Sequence, residues 1–339
     1  MNECRIAVVG ATGAVGRIFL EILQQRKFPI SSIELFASER SVGKHIMFNG
    51  EPLTVKEIGS RSFDLVDIVF ISANGDISNQ VAPIATKAGA IVIDDSSTFR
   101  MISTVPLVVP EINVDDLDKH EGIISIPNCS TTPLAMVLKA LSSITEIKRV
   151  IVDTYQSVSG TGTAAIEELN MQSKQDSNDN AIAKVYPHKI AFNLFPHIEP
   201  FLDNGYTKEE WKMIEETRKI LHQPELAISA TCVRVPVKIC HSEAIHIEFA
   251  NPINLIDAKN ELSNFPGIQI LDDPSNNEYP MPLNVTGKDD VFVGRLRQDA
   301  SHPNGLAMWV VSDNLRKGAG LNAIQIAEAI LQKGLIQHI

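Results

Sequence analysis

A glycine-rich turn near the amino terminus is the feature that most constrains the fold of this chain. Gly10, Gly13 and Gly16 follow a short apolar run over residues 5–10 and precede a helical pattern over residues 17–25. Strand, glycine turn and helix in this order let backbone N–H groups approach a pyrophosphate at the N-terminus of the helix. The G-x-x-G-x-x-G spacing is less specific than G-x-G-x-x-G, so a turn with only a packing role stays open.

Two strand patterns divide the chain. In the first half, short apolar runs alternate with helical stretches, which predicts a doubly wound parallel sheet. In the second half, longer strands of alternating polarity predict a mostly antiparallel sheet with one apolar face. The predicted strands cover residues 33–37, 67–72, 90–94, 122–126, 149–159, 227–237, 242–250, 290–297 and 306–312. Helical patterns cover residues 209–221 and 316–332, and Leu321, Ile324 and Leu331 share one predicted buried face of the second.

Composition narrows the classes of partner and compartment. The net charge of -11 argues against nucleic acid and anionic membranes as partners. The four cysteines form no C-x-x-C pair, and no Cys/His cluster has metal-ligand spacing, so we predict neither disulfides nor a metal. The first residues lack the pattern of a signal peptide, and no apolar run approaches membrane-spanning length. We therefore expect a soluble cytoplasmic protein.

Cys129 lies where a predicted strand over residues 122–126 meets a predicted helix over residues 133–141. Free backbone N–H groups and the helix dipole at such a turn favour an anion. A thiol placed there ionises more easily, and the thiolate is the nucleophilic form. The alternative for an unpaired cysteine is a small buried apolar residue.

The end of the second predicted strand bears on the choice of nucleotide. In an NAD-binding sheet this position usually carries an acid for the ribose hydroxyls. Here Ser38, Arg40 and Ser41 surround Glu39, and an arginine with two hydroxyls can hold a 2′-phosphate. NADP is therefore favoured over NAD, with Glu39 as the opposing charge.

Several separated segments, in order along the chain, match one enzyme family. They are GATGAVG at 10–16, SSTFR at 96–100, PNCS at 127–130, QSVSG at 156–160, ETRK at 216–219, RVP at 234–236 and HSE at 241–243. With these segments the chain resembles the aspartate-semialdehyde dehydrogenases over nearly its whole length. The resemblance implies reversible, phosphate-dependent oxidation of L-aspartate 4-semialdehyde to L-aspartyl 4-phosphate with NADP, through a cysteine thioester. This reaction serves lysine, threonine and methionine (diaminopimelate) biosynthesis.

The resemblance also implies a domain organisation within the α/β class. An NADP-binding Rossmann domain with a doubly wound parallel sheet covers residues 1–130, and a helix over residues 315–339 packs back onto it. Residues 131–314 form an α/β dimerisation and catalytic domain with a mixed, mostly antiparallel sheet, which builds a homodimer. Residues 172–180 are polar and predicted to form a loop.

The family motifs assign catalytic roles to three residues. Cys129 is the nucleophile, Gln156 orients the acyl intermediate and His241 moves the protons. Without the motif, the choice between His241 and His246 stays open, because both lie in the same strand region and most histidines are structural.

Binding roles follow from the same motifs. Arg100 and Lys219 hold the phosphate with Asn128 beside them, Arg234 takes the substrate α-carboxylate and Glu216 the α-ammonium. The implied cofactor contacts are Thr12, Gly13, Ala14, Val15, Ser38, Arg40, Ser41, Ser159, Gly160 and Asn314. On spacing alone, Glu216 and Lys219 at i and i+3 could equally form a solvated surface salt bridge.

Three other functions compete with this one. N-acetyl-glutamyl-phosphate reductase shares the fold, the cysteine chemistry and NADP. A non-catalytic NADP-binding regulatory protein would need no thiol, which the set Cys129, Gln156, Arg234 and His241 argues against. An oxidoreductase that hydrolyses its thioester would need no phosphate-binding cations, and their presence favours phosphate as the acyl acceptor.

Overall fold

A computed structural model describes residues 3–59, 61–174 and 183–336. The chain forms two compact units, one built from the residues up to Asn128 and those from Ala319 onward, the other from Cys129–Gly318. The divisions predicted from the sequence instead follow residues 130 and 314, so Cys129 falls in the second unit here and not in the first domain. Most of the predicted 172–180 loop falls outside the described residues. Among the helices of the described ranges, none is both long and apolar enough to cross a membrane.

The first unit contains a seven-stranded sheet. Its strands are β1 (Cys4–Val9), β2 (Ile30–Phe36), β3 (His45–Phe48), β4 (Glu51–Lys56), β5 (Ile68–Ile71), β6 (Ile91–Asp94) and β7 (Ile123–Ser125). They are ordered β3-β4-β2-β1-β5-β6-β7, and all neighbours are parallel except β3 and β4. The doubly wound sheet is thus confirmed, with a hairpin added at one edge. Asn49 and Gly50 turn that hairpin with positive φ angles of 49° and 85°, which the Asn-Gly pair favours.

From the sequence, helix bounds were predicted only over residues 17–25, 133–141, 209–221 and 316–332. The α-helices of the described ranges include these four, whose ends differ by a few residues. The α-helices are α1 (Ala14–Gln25), α2 (Gly75–Lys87), α3 (Pro110–Asn113), α4 (Thr131–Leu141), α5 (Thr163–Gln172), α6 (Lys208–Ile220), α7 (Leu255–Asn264), α8 (Pro282–Val285) and α9 (Leu321–Lys333). The pattern predicted over residues 316–332 begins as a π-helical turn, Arg316–Gly320, before α9 starts.

Helix α9 belongs to the core of the first unit. Ile324 and Ile330 are buried in the same apolar cluster as Leu20 and Leu23 of α1. Leu331, predicted to be buried, only packs against the edge of this cluster. Burial extends almost all round the helix, which is why a single apolar stripe describes it poorly.

The second unit contains a six-stranded mixed sheet. Its strands are β8 (Ile147–Gln156), β9 (Ala227–Arg234), β10 (His241–Phe249), β11 (Ile268–Ile270), β12 (Val291–Gln298) and β13 (Gly305–Ser312). The order is β11-β12-β13-β10-β8-β9, with three antiparallel pairs at the centre and parallel pairs at both ends. The strand predicted over residues 227–237 was too long, since β9 ends before Pro236, which has no N–H to donate. The strand predicted over residues 149–159 was also too long, because the chain turns into a 3₁₀ turn at Val158–Thr161.

Glu243 interrupts the buried face of β10. Its side chain is 1% exposed, and neither carboxyl oxygen has a hydrogen-bond partner among the described residues. Burial raises the pKa of the Glu243 carboxyl well above its ordinary value. The native protein therefore holds this proton at pH values where the unfolded chain has lost it.

Replacing Glu243 by glutamine should change how stability depends on pH. The stabilisation from the Glu243 proton is complete below the unfolded pKa of about 4.3 and is lost as pH rises towards the raised folded pKa. As pH rises through this window, the unfolding free energy of Glu243→Gln minus that of wild type should therefore increase by up to about 1.4 kcal/mol per pH unit. Urea unfolding at a series of pH values measures it. Glu248→Gln, on the opposite face of β10 and paired with Arg149, is the control, and a pH-independent difference for Glu243→Gln would contradict the assignment.

Candidate active site

The glycine turn of the first unit is shaped for close backbone approach. Gly10 has a φ of +87°, and a methyl group there would collide with the carbonyl oxygen of Ser72. A methyl group on Gly16 would likewise collide with the carbonyl oxygen of Gly10. Gly13 is the N-cap of α1, and no side chain caps this terminus. Residues Thr12, Gly13, Ala14 and Val15 thus form a turn whose helix-terminal N–H groups suit a phosphate.

The corner after β2 holds the residues proposed for the 2′-phosphate. Glu39–Ser41 form a 3₁₀ turn, with Ser38 as its N-cap and Arg40 exposed to solvent. Ser41 Oγ lies 3.5 Å from Thr12 Oγ1 and 3.4 Å from Lys44 Nζ. Lys44 was missed by the sequence analysis, although a second basic residue four positions after Arg40 was a usable signal.

Arg100 and Asn128 also belong to the first unit and are both buried. Arg100 Nη2 donates to the Asp95 carbonyl oxygen at 2.7 Å. Burial raises the pKa of the Asp95 carboxyl to about 7, and the Arg100 guanidinium opposes that rise. The arginine is therefore anchored through its backbone contact beside an acidic group.

Cys129 stands apart from the other three cysteines. It lies two residues before α4 and is half-buried, whereas Cys4, Cys232 and Cys240 are buried. Burial raises the pKa of the Cys4 and Cys240 thiols to about 12 and that of Cys232 well above its ordinary value. The buried apolar alternative thus describes those three. A Cβ on Gly318 would lie 2.9 Å from Cys129 Cβ, so this glycine, which the sequence analysis missed, gives the cysteine its place.

His241 opens β10 and is 1% exposed. Its Nδ1 accepts a hydrogen bond from the backbone N–H of Ser157 at 3.0 Å, so the neutral ring carries its proton on Nε2. Burial and the Arg234 guanidinium lower the pKa of the ring to about 3, against the opposing effects of the Glu209 carboxylate and the Cys240 backbone. Nε2 has no partner among the described residues, so this ring is a neutral donor with a free N–H.

A small space opens around that N–H because residue 160 is glycine. A Cβ at Gly160 would lie 3.3 Å from His241 Nε2 and 3.4 Å from Arg234 Nη1. Arg234 is buried, and its Nη1 donates to the Ser157 carbonyl oxygen at 2.6 Å. Its guanidinium carbon also lies 5.8 Å from the centroid of the Tyr186 ring. The side chains of Arg234 and His241 therefore both border the space beside Gly160.

A buried polar network supports the histidine. Asn314 Oδ1 accepts from Cys240 N at 2.9 Å, Ser159 Oγ at 3.1 Å and Ser157 Oγ at 3.2 Å. Ser157, which the sequence analysis did not assign, therefore contacts His241, Arg234 and Asn314. Its signal was only its place inside the QSVSG segment.

The remaining predicted residues of the second unit lie on β8 and α6. Gln156 ends β8 and is opposite Arg234 in the register with β9. Glu216 is 1% exposed, which excludes a fully solvated salt bridge with Lys219, itself half-buried. His246 is partly exposed, with Nδ1 3.0 Å from Asp299 Oδ2, so the structure groups His241 and not His246 with Arg234. Among the described residues, no three His, Cys, Asp or Glu side chains are arranged to hold a metal ion.

Comparison with known proteins shows which family this chain is similar to. The semialdehyde dehydrogenase NAD binding domain matches residues 5–120, and the semialdehyde dehydrogenase dimerisation domain matches residues 138–317. An aspartate-semialdehyde dehydrogenase of Aquifex aeolicus is 50% identical over 337 residues, which cover 98% of this chain and 99% of that protein. The chain belongs to the aspartate-semialdehyde dehydrogenase family.

Solved structures agree with this membership. Aspartate semialdehyde dehydrogenase II of Vibrio cholerae, complexed with ASA, has a TM-score of 0.95 and 43% identity, covering 98% of this chain and 99% of its own. The Candida albicans enzyme with NADP has a TM-score of 0.77 and 27% identity, covering 99% and 100%. The protein is thus an oxidoreductase of an aldehyde-oxidising family with a nicotinamide-nucleotide domain, and the predicted fold class is confirmed.

Proposed function

We propose that this protein catalyses the reversible oxidation of L-aspartate 4-semialdehyde to L-aspartyl 4-phosphate, with NADP and inorganic phosphate. The observation that carries the proposal is the contrast among its four cysteines, since Cys129 alone is not buried. An accessible thiol before a helix N-terminus is suited to nucleophilic attack on an aldehyde. In metabolism the reaction would run as a reduction that feeds lysine, threonine and methionine synthesis.

The chain's own groups account for the covalent steps. The Cys129 thiolate adds to the aldehyde carbon, and the carbonyl electron pair moves to oxygen as the C–S bond forms. His241 donates a hydrogen bond from its Nε2–H to this negatively charged oxygen and keeps the proton. NADP, which the glycine turn and the corner after β2 would hold, would accept the hydride that leaves the aldehyde carbon as the C=O bond re-forms, which leaves a Cys129 thioester. Attack by a phosphate oxygen on the resulting Cys129 thioester then breaks the C–S bond and returns the thiolate.

The binding roles are proposed from the family motifs. Lys219, Arg100 and Asn128 are assigned to the phosphate, and Arg234 to the α-carboxylate. Glu216 is assigned to the α-ammonium, which an N-acetylated substrate lacks. The fixed, buried guanidinium of Arg234 supports its role, because a planar fork pairs well with a carboxylate.

We further propose a cytoplasmic homodimer. The match of residues 138–317 to a dimerisation domain supports the dimer. So does the sheet face opposite the buried one, where the partly exposed rings of Tyr155 and Trp309 lie 5.4 Å apart between centroids. Four free cysteines suit a reducing compartment.

Steady-state turnover tests the proposed reaction. Purified protein is given aspartate semialdehyde and NADP, with phosphate, with arsenate and with neither oxyanion. We expect NADPH to accumulate with either oxyanion and turnover to stop without one. Steady turnover that ignores the oxyanion would indicate hydrolysis of the intermediate, and efficient use of N-acetylglutamate semialdehyde would indicate the related reductase.

Arg40→Ala tests the choice of nucleotide. Loss of a hydrogen bond to a charged group should weaken NADP binding by about 1.5–3 kcal/mol and leave NAD binding nearly unchanged. Titration calorimetry with both nucleotides measures this difference. Lys56→Ala is the control, since Lys56 is an exposed cation of the same unit paired with Glu34 at 3.2 Å. Equal losses for NADP and NAD would show that Arg40 serves a part common to both nucleotides.

A further inference from the structure

The side-chain amide of Gln156 is held at its nitrogen. Nε2 donates to Glu209 Oε1 at 3.1 Å and to Thr154 Oγ1 at 3.2 Å, and all three side chains are buried. Gln156 Oε1 forms no hydrogen bond among the described residues. The two flipped orientations of a glutamine amide fill nearly the same space, so the hydrogen-bond partners around the amide determine where its NH₂ group and its oxygen point.

Glu209 fixes the orientation of the Gln156 amide, because Glu209 is itself paired with a cation. Lys212 Nζ lies 3.3 Å from Glu209 Oε2 and 2.6 Å from Glu199 Oε1. The ammonium supplies only donors, so it favours the ionised form of the Glu209 carboxyl, which can only accept. A group that can only accept requires the N–H side of Gln156 to face it.

The register of the sheet places Gln156 on the same face as two residues of the candidate active site, Arg234 and His241. Gln156 is opposite Arg234, while Thr154 is opposite both Cys232 and Glu243. Side chains two residues apart on a strand share a face, so Gln156 and His241 lie on the same side of the sheet. Glu209 is close enough to His241 to affect the pKa of its ring.

We propose that Glu209 is a positioning residue that fixes Gln156 with Oε1 turned towards the catalytic groups, so that Gln156 acts there only as an acceptor. The proposal rests on the proposed function, in which Gln156 orients the acyl intermediate. His241 then supplies a fixed donor and Gln156 a fixed acceptor. In this proposal Glu209 acts on the chemical steps, so its replacement should change kcat and not the affinity for NADP.

Glu209→Gln should reverse the orientation of the Gln156 amide. Lys212 keeps the oxygen of the new amide towards itself, so the new NH₂ group faces Gln156 and forces that amide to turn over. An NH₂ group then replaces the acceptor in the site. We expect kcat to fall about 10- to 100-fold, the scale of one misplaced hydrogen bond to a charged or strongly polar group, with little change in NADP affinity.

An exchange of the two side chains separates positioning from mere stability. Gln156→Glu alone places two carboxylates against each other and should lose more activity than Glu209→Gln. In Gln156→Glu/Glu209→Gln, the amide at 209 donates to the carboxylate at 156, whose second oxygen again offers an acceptor. The double variant should therefore recover at least about tenfold in kcat over Gln156→Glu.

Glu210→Gln is the matched control. Glu210 is the neighbouring buried carboxylate, and its oxygens accept from the backbone N–H groups of Thr207 at 2.7 Å and Cys232 at 2.9 Å. Its change should lower thermal stability while kcat per folded protein stays near wild type. A Glu209→Gln variant with wild-type kcat would overturn the proposal, and so would a folded double variant no more active than Gln156→Glu. If the double variant does not fold, the kcat of Glu209→Gln alone tests the proposal. A wild-type protein without activity would instead refute the proposed function.

Discussion

Cys129→Ser should abolish turnover while the protein still folds and binds NADP. A serine hydroxyl fills nearly the same volume but is a far weaker nucleophile at neutral pH. The expected loss in kcat is on the order of 10⁴–10⁶, the scale seen when a catalytic nucleophile is removed. NADPH formation measures the loss, and calorimetry with NADP checks the binding.

Cys4→Ser is the matched control for that change. Cys4 is buried in β1, and its Sγ lies 3.5 Å from the Pro29 carbonyl oxygen, a contact that a hydroxyl can keep. Its activity should stay near that of wild type. Near-normal rates in Cys129→Ser would show that oxidation proceeds without the thiol, and the covalent route would be wrong.

His241→Ala should lower kcat by about 10²–10⁴. In the proposed reaction the ring supplies an N–H to the oxygen of the adduct. The nearest other donor to the Cβ position of Gly160, Arg234 Nη1, already donates to the Ser157 carbonyl oxygen. His241→Gln, which retains an N–H donor, should lose less than His241→Ala. His246→Ala is the control, because that ring pairs with Asp299 on the other face of β10. A large loss in His246→Ala with a silent His241→Ala would reverse the assignment.

The pH profile gives a second reading of His241. With a pKa lowered to about 3, the ring stays neutral in the free enzyme throughout the neutral range. Any ionisation seen in the pH dependence of kcat/KM between about pH 5 and 8 should therefore remain in His241→Gln, because it does not belong to His241.

The lowered pKa of His241 also makes the stability of the protein depend on pH, because the histidine of the unfolded chain takes up a proton near its pKa of about 6.5. The unfolding free energy should fall as pH drops from there towards 3, and less so in His241→Gln.

Local signals in the sequence were enough for the framework of the fold. The glycine turn, the short apolar strands and the capped, amphipathic α6 each depend on neighbouring residues, and each was found within a few positions. The hairpin of β3 and β4 was missed although Asn49 and Gly50 are a strong local signal, so that miss was one of interpretation. The long strand predicted to residue 237 failed because the effect of Pro236 was not weighed.

The parts that could not be foreseen depend on contacts between distant segments. Gly318 matters because a side chain there would collide with Cys129, which lies far away in sequence. Glu209 looks like a solvated charge on an amphipathic helix until α6 is packed beside Gln156. The histidine itself could be named only by the family motif, and its tautomer only by the N–H of Ser157. Sequence periodicity carries no information on such pairs.

In the proposed reaction, Cys129 carries the acyl group between oxidation and phosphate attack. Rapid mixing of the enzyme with aspartate semialdehyde and NADP, without phosphate, tests it most directly, with intact and peptide mass spectrometry of the quenched protein. We expect a burst of about one NADPH per chain, an aspartyl group attached at Cys129, and its discharge as L-aspartyl 4-phosphate when phosphate is added. Absence of a burst, or an acyl group on another residue, would contradict this role of Cys129.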